Sequence, residues 1–207
     1  MLPDLEESPE VAIELCRASH VRLVSRVEDL TDGQARAPSR LPGWTVGHVL
    51  THLARNADGH ARRLRGTLQG QDVPRYQAGQ RDADITVGAG RPAADVVSDL
   101  RAAQEALELV WVECVATGWP NRHLRGGDSW ESPASPARRL REVEVHHVDL
   151  GLGYEPSDWP EDYVAWDLPV VLASVPGRAA GPDDARDLLA WVTGRGPVPS
   201  RVQLAPW

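Results

Sequence analysis

Four long runs of this chain carry apolar residues at three- and four-residue steps, and nothing else constrains its fold as strongly. In the first, residues 8–30, one face holds Ala12, Cys16, Leu23, Val27 and Leu30. The second begins after Pro42-Gly43-Trp44, with Thr45 as the expected N-cap. Its stripe is Val46, Leu50, Leu53, Ala57, Leu64 and Leu68. The third starts near Pro92, a residue suited to a first helical turn, and aligns Val96, Leu100, Ala103, Leu107, Val110 and Cys114. The fourth covers residues 136–150 and stops at Gly151, a natural helix-ending residue. A helix apolar along one stripe buries that stripe against its neighbours. The expectation is a mainly α protein built on a four-helix bundle.

The segments between the stripes, residues 31–42, 70–90 and 118–136, are rich in helix breakers and are expected to be connections. One as long as 70–90 is often functional. From Tyr154 the pattern changes. Two shorter helical stretches, 161–173 and 182–193, precede a Pro-rich end. Residues 1–153 are therefore expected to form the bundle, and 154–207 a small C-terminal subdomain, α/β or irregular.

Length and charge narrow the function classes. A chain of 207 residues buries a substantial core. Its net charge of -8 argues against nucleic acid as a partner. No apolar run is long enough to span a membrane. The opening MLPDLEESPE is acidic and lacks the apolar run of a secretory leader, so the expected compartment is the cytoplasm. Cys16 and Cys114 both sit on apolar stripes and read as small buried hydrophobes, not as a disulfide framework.

The chemistry concentrates on two of the four helices. On the second, His48 and His52 are four apart and stack on one face. Such a pair can grip a metal, although lone helical histidines are more often hydrogen-bonded structural residues. On the fourth, Glu142 and His146 share a face and Asp149 lies one turn beyond. Two imidazoles and a carboxylate are the ligand set of a catalytic zinc that keeps one position open. The plain alternative is a solvated ion pair one helical turn apart. Glu144 and His147 make a competing pair on a neighbouring face, and periodicity does not choose between the two.

Three stretches carry a resemblance across residues 41–166. They are LPGWTVGHVLTHLARNADGHARRL (41–64), RDADITVGAGRPAADVVSDL (81–100) and RLREVEVHHVDLGLGYEPSDWP (139–160). In this order they resemble the mycothiol-dependent maleylpyruvate isomerases, a family within the wider DinB-like metal-binding bundles. The resemblance implies zinc, or another divalent metal, held by His52, Glu142 and His146. It makes His48, Glu144 and His147 neighbours or surface residues, and it makes Asp149 a support for the helix end or the ligands. Asn56, one turn after His52, would orient that ligand or meet the substrate. The family also places an arginine of its C-terminal part near the site. Thr193-Gly194-Arg195-Gly196 is similar to that element, which points to Arg195, with Arg55 a second cation.

The activity so implied is cis-trans isomerisation of maleylpyruvate to fumarylpyruvate in gentisate degradation. Mycothiol, a low-molecular-weight thiol, would be the cosubstrate. Its thiolate, stabilised by the metal, adds to the double bond and leaves after rotation. The partners implied are this thiol and a small dianion, for which arginine is the fitting receptor. Two other readings share the scaffold: an S-transferase that conjugates mycothiol to another electrophile, and a non-catalytic metal-binding bundle.

Overall fold

The computed structural model describes residues 4–77, 79–119, 131–179 and 181–199. Among them are eight α-helices and no strand. They are α1 (Pro9–Val27), α2 (Asp32–Arg36), α3 (Val46–Leu68), α4 (Gln80–Ala89), α5 (Ala93–Ala116), α6 (Ser135–Asp149), α7 (Glu161–Arg178) and α8 (Pro182–Val192). The four expected bundle helices are α1, α3, α5 and α6. No helix among the described residues is long and apolar enough to cross a membrane.

The apolar stripes form the core. Ala12, Cys16, Leu23 and Val27 of α1 are buried together with Leu50, Leu53, Ala57 and Leu64 of α3. From α5 come Val96, Leu100, Leu107 and Trp111, and from α6 Leu140 and Val143. Helix α3 packs on α4, α5 and α6, while α1 packs on α5 and α6. Both cysteines are free and buried, and burial pushes the Cys114 thiol up to about 12.

Two short helices lie where connections were expected. Helix α2 falls within 31–42 and starts with a capping box. Thr31 Oγ1 accepts from the Gln34 amide, and the Gln34 side chain accepts from the Thr31 amide. Helix α4 falls within 70–90, a stretch whose glycines read as breakers. Gly88 is instead a packing residue, since a Cβ there would meet Thr51 Cγ2 of α3 at 2.4 Å. Gly47 of α3 is also tight, with a Cβ position 3.0 Å from the Ala89 carbonyl oxygen. Small residues on both sides let α4 lie directly on the start of α3.

The chain divides into two compact units, Met1–Tyr163 and Val164–Trp207. This division falls ten residues later than the expected boundary at 153/154. Side-chain bonds hold the intervening residues to α6. The Tyr154 hydroxyl donates to Glu144 Oε2, and Trp159 Nε1 donates to the Glu144 carbonyl at 3.1 Å. Tyr163 is buried. The described part of the second unit is helix and turn; both expected stretches are helical, and the first extends through Pro169 and Pro176 to Arg178.

Candidate metal centre

His52 is fixed by the way α3 begins. Thr45 caps the helix, its Oγ1 accepting from the His48 amide at 3.3 Å while His48 Nδ1 accepts from the Thr45 amide at 3.2 Å. His48 is thus a capping residue. One turn on, His52 projects into the bundle and is 4 % exposed. Its ring packs against Trp44 at a steep angle, with centroids 5.8 Å apart.

Helix α6 brings the other two groups. Glu142 Oε2 lies 3.1 Å from His52 Nε2 and 3.6 Å from His146 Nε2, and the two imidazole nitrogens are 3.1 Å apart. Two nitrogens and one oxygen therefore converge on one point, a grouping able to hold a metal ion. His146 Nδ1 donates to Asp149 Oδ2 at 2.8 Å, which leaves its Nε2 lone pair aimed at that point. Burial would raise the Glu142 carboxyl, but the hydrogen bond with His52 and the nearby charges of His52, His146 and Arg75 hold it at about 2. Burial pushes His52 below the usual imidazole range, against the pull of Glu142. The cluster thus offers a carboxylate held anionic and, at His52, an imidazole whose cationic form burial disfavours.

The competing pair on α6 does something else. Glu144 is fully buried and accepts from Ser19 Oγ, from Arg22 Nη2 at 2.6 Å and from the Tyr154 hydroxyl. His147 is buried and stacks on Tyr154, with centroids 3.7 Å apart. Neither residue is at the surface, where the resemblance allowed them to be. They join α6 to α1 and to the segment after α6.

Other expected residues also have defined places. Asn56 is buried, and its Oδ1 accepts from Arg139 Nη1 at 2.9 Å. The same Arg139 nitrogen donates to the Leu53 carbonyl at 2.9 Å, and its Nε donates to His20 Nε2 at 3.3 Å. Arg139 thus ties α6 to the turn of α3 just after His52, and to α1, and was not singled out from sequence, although it heads the third matching stretch. Arg55 is paired with Asp58 at 2.9 Å and with Asp99 at 2.7 Å. Arg195 lies in the second unit on the turn after α8, where it is exposed and its guanidinium donates to the Thr193 carbonyl. Arg81 also escaped the sequence reading. It stands in α4, with Nη2 at 3.0 Å from His52 Nδ1.

Comparison with known proteins gives the family and the fold. A family model described as the mycothiol maleylpyruvate isomerase N-terminal domain matches residues 16–151. The chain belongs to this family. The matched region contains all three converging side chains and the whole of α3 to α6. The fold is shared with solved members. A crystal structure of a histidine-to-alanine mutant of mycothiol-dependent maleylpyruvate isomerase superposes with a TM-score of 0.75 at 21% identity, covering 84% of this chain and 73% of that one. A second crystal structure of mycothiol-dependent maleylpyruvate isomerase gives 0.70 at 23% identity, covering 76% of this chain and 67% of that one. No curated protein matches the chain by sequence. The architecture is thus the DinB-like helical fold.

Proposed function

We propose that the chain is a metal- and mycothiol-dependent cis-trans isomerase that converts maleylpyruvate to fumarylpyruvate. The observation that carries this reading is the convergence of His52, Glu142 and His146 inside the region matched by the family model. Two imidazoles and one carboxylate suit zinc and leave a position for an exchangeable ligand. A divalent ion bound there supplies one thing, stabilisation of a thiolate at neutral pH.

The residues of the chain do the rest. Glu142, held ionised, offsets part of the cationic charge. Asp149 keeps the His146 ring proton on Nδ1 and so fixes which nitrogen faces the site. Trp44 covers one side of His52 and limits the water that reaches it. Arg139 locks the spacing between the helices that carry the ligands.

In the reaction, the thiolate forms a C–S bond to one carbon of the cis double bond. The π electron pair moves toward the neighbouring carbonyl as an enolate. The former double bond is then single and rotates. The enolate pair returns, the C–S bond breaks and the thiolate leaves. No proton or electron is consumed, and the thiol is recovered.

That balance defines the test. A small amount of mycothiol, mixed with protein and excess maleylpyruvate, converts all of it to fumarylpyruvate with the thiol concentration unchanged. Consumption of one thiol per product overturns the isomerase and makes the chain an S-transferase. No conversion and no thiol loss with any electrophile favours a binding protein.

A further inference from the structure

A dianionic substrate needs a cation at the site. Arg55 is held by two carboxylates of its own, Asp58 and Asp99. Among the described residues Arg81 has no such buried carboxylate partner and pairs with its exposed chain neighbour Asp82 alone, at 3.1 Å, a contact of little energetic weight. Its guanidinium lies 5.9 Å from the centre of the Tyr76 ring and reaches His52 Nδ1 at 3.0 Å.

The contact with His52 has a chemical limit. A guanidinium only donates hydrogen bonds. Bonding to Arg81 therefore makes His52 Nδ1 an acceptor and puts the ring proton on Nε2, where it donates to Glu142 Oε2. A His52 that gives its Nε2 lone pair to a cation must carry its proton on Nδ1. That N–H would face the Arg81 N–H, donor against donor. His146 has no such conflict, because its Nδ1 faces the acceptor Asp149. Metal ligation by His52 and the Arg81 contact are mutually exclusive. The Arg81 side chain is 39% exposed, so packing does not lock it against His52.

We infer that Arg81 is the anion-binding residue of this site, that it receives a substrate carboxylate, and that His52 releases it when Nε2 ligates a metal. The choice of carboxylate rests on the isomerase reading; the exchange at His52 does not. The ligand class is a short-chain dicarboxylate.

The test uses zinc and maleate as probes, with no turnover. Zinc affinity is measured by competition with a chromophoric chelator for the full-length protein, Arg81→Ala and Arg81→Lys. Maleate affinity for the zinc-loaded proteins is measured by calorimetry. Removing the opposing donor and its charge strengthens zinc binding of Arg81→Ala by about tenfold, the scale of groups next to metal ligands. The same variant loses maleate affinity by roughly tenfold or more, the scale of one charge-assisted hydrogen bond. Arg81→Lys keeps part of the maleate affinity. Weaker or unchanged zinc binding in Arg81→Ala overturns the exchange, and unchanged maleate affinity overturns the anion role. A wild-type protein that binds no zinc overturns both. If both effects appear but maleylpyruvate is not isomerised, the isomerase reading fails and the role of Arg81 stands.

Discussion

Asp149 Oδ2 sits 2.8 Å from His146 Nδ1, one helical turn along α6, so a single helix carries two of the three converging groups, His146 and Glu142, and the carboxylate that orients His146. The expected consequence is that Asp149→Asn weakens zinc binding by about ten- to hundredfold. An amide can present its N–H to the same nitrogen and so favours the wrong tautomer. The helix content stays unchanged, since Asp149 is the last residue of α6. Chelator competition with circular dichroism on the same samples checks both halves.

The two neighbouring histidines of α6 separate by function. His146 faces His52 and Glu142, whereas His147 stacks on Tyr154 away from that cluster. His146→Ala should abolish stoichiometric zinc and leave the fold in place. His147→Ala should keep zinc but lower stability by about 1–3 kcal/mol, the usual cost of emptying a packed position. Elemental analysis and urea denaturation of the two variants read this out, and the reverse pattern would assign the ligand to the wrong face of the helix.

Acid should unfold the protein early. Burial pushes the His20 imidazole down to about 4 from an ordinary 6.5, against the hydrogen bond with Glu108. Burial also pushes His60 well down. The unfolded chain takes up these protons as the pH falls through 6.5, while the folded chain refuses His20's until about 4. Stability is therefore complete above the ordinary imidazole range and declines below it, by about 1.4 kcal/mol per pH unit for each such histidine. Urea midpoints measured at steps from neutral pH into the acid range show the slope. His20→Gln should flatten it, and equal slopes in the two proteins would remove His20 as a cause.

The parts of this molecule that repeat with a helical period were legible in its sequence. The stripes of α3 and α5 announced the bundle, and Thr45 and Gly151 marked helix ends that the structure has. Helix α4 was hidden because Gly88 reads as a breaker, and only the approach of Thr51 shows why a glycine is needed there. The choice between Glu142–His146 and Glu144–His147 lay beyond periodicity, which places both pairs on α6. It depends on which neighbours surround each face: His52 on one side, Ser19, Arg22 and Tyr154 on the other. Arg81 could not be foreseen as a neighbour of His52, because it lies 29 residues on, in a helix that periodicity did not reveal. Arg139 was likewise silent, since a buried arginine that holds carbonyl and amide oxygens leaves no charge pattern in the sequence.

The central claim is that His52, Glu142 and His146 hold a metal to which a thiol gains access. X-ray absorption at the zinc edge, before and after addition of mycothiol, tests it most directly. Only nitrogen and oxygen neighbours are expected at first, then one sulfur at about 2.3 Å once the thiol is present. His52→Ala is expected to show neither set. A zinc shell that gains no sulfur at any mycothiol concentration, or one that persists unchanged in His52→Ala, would contradict it.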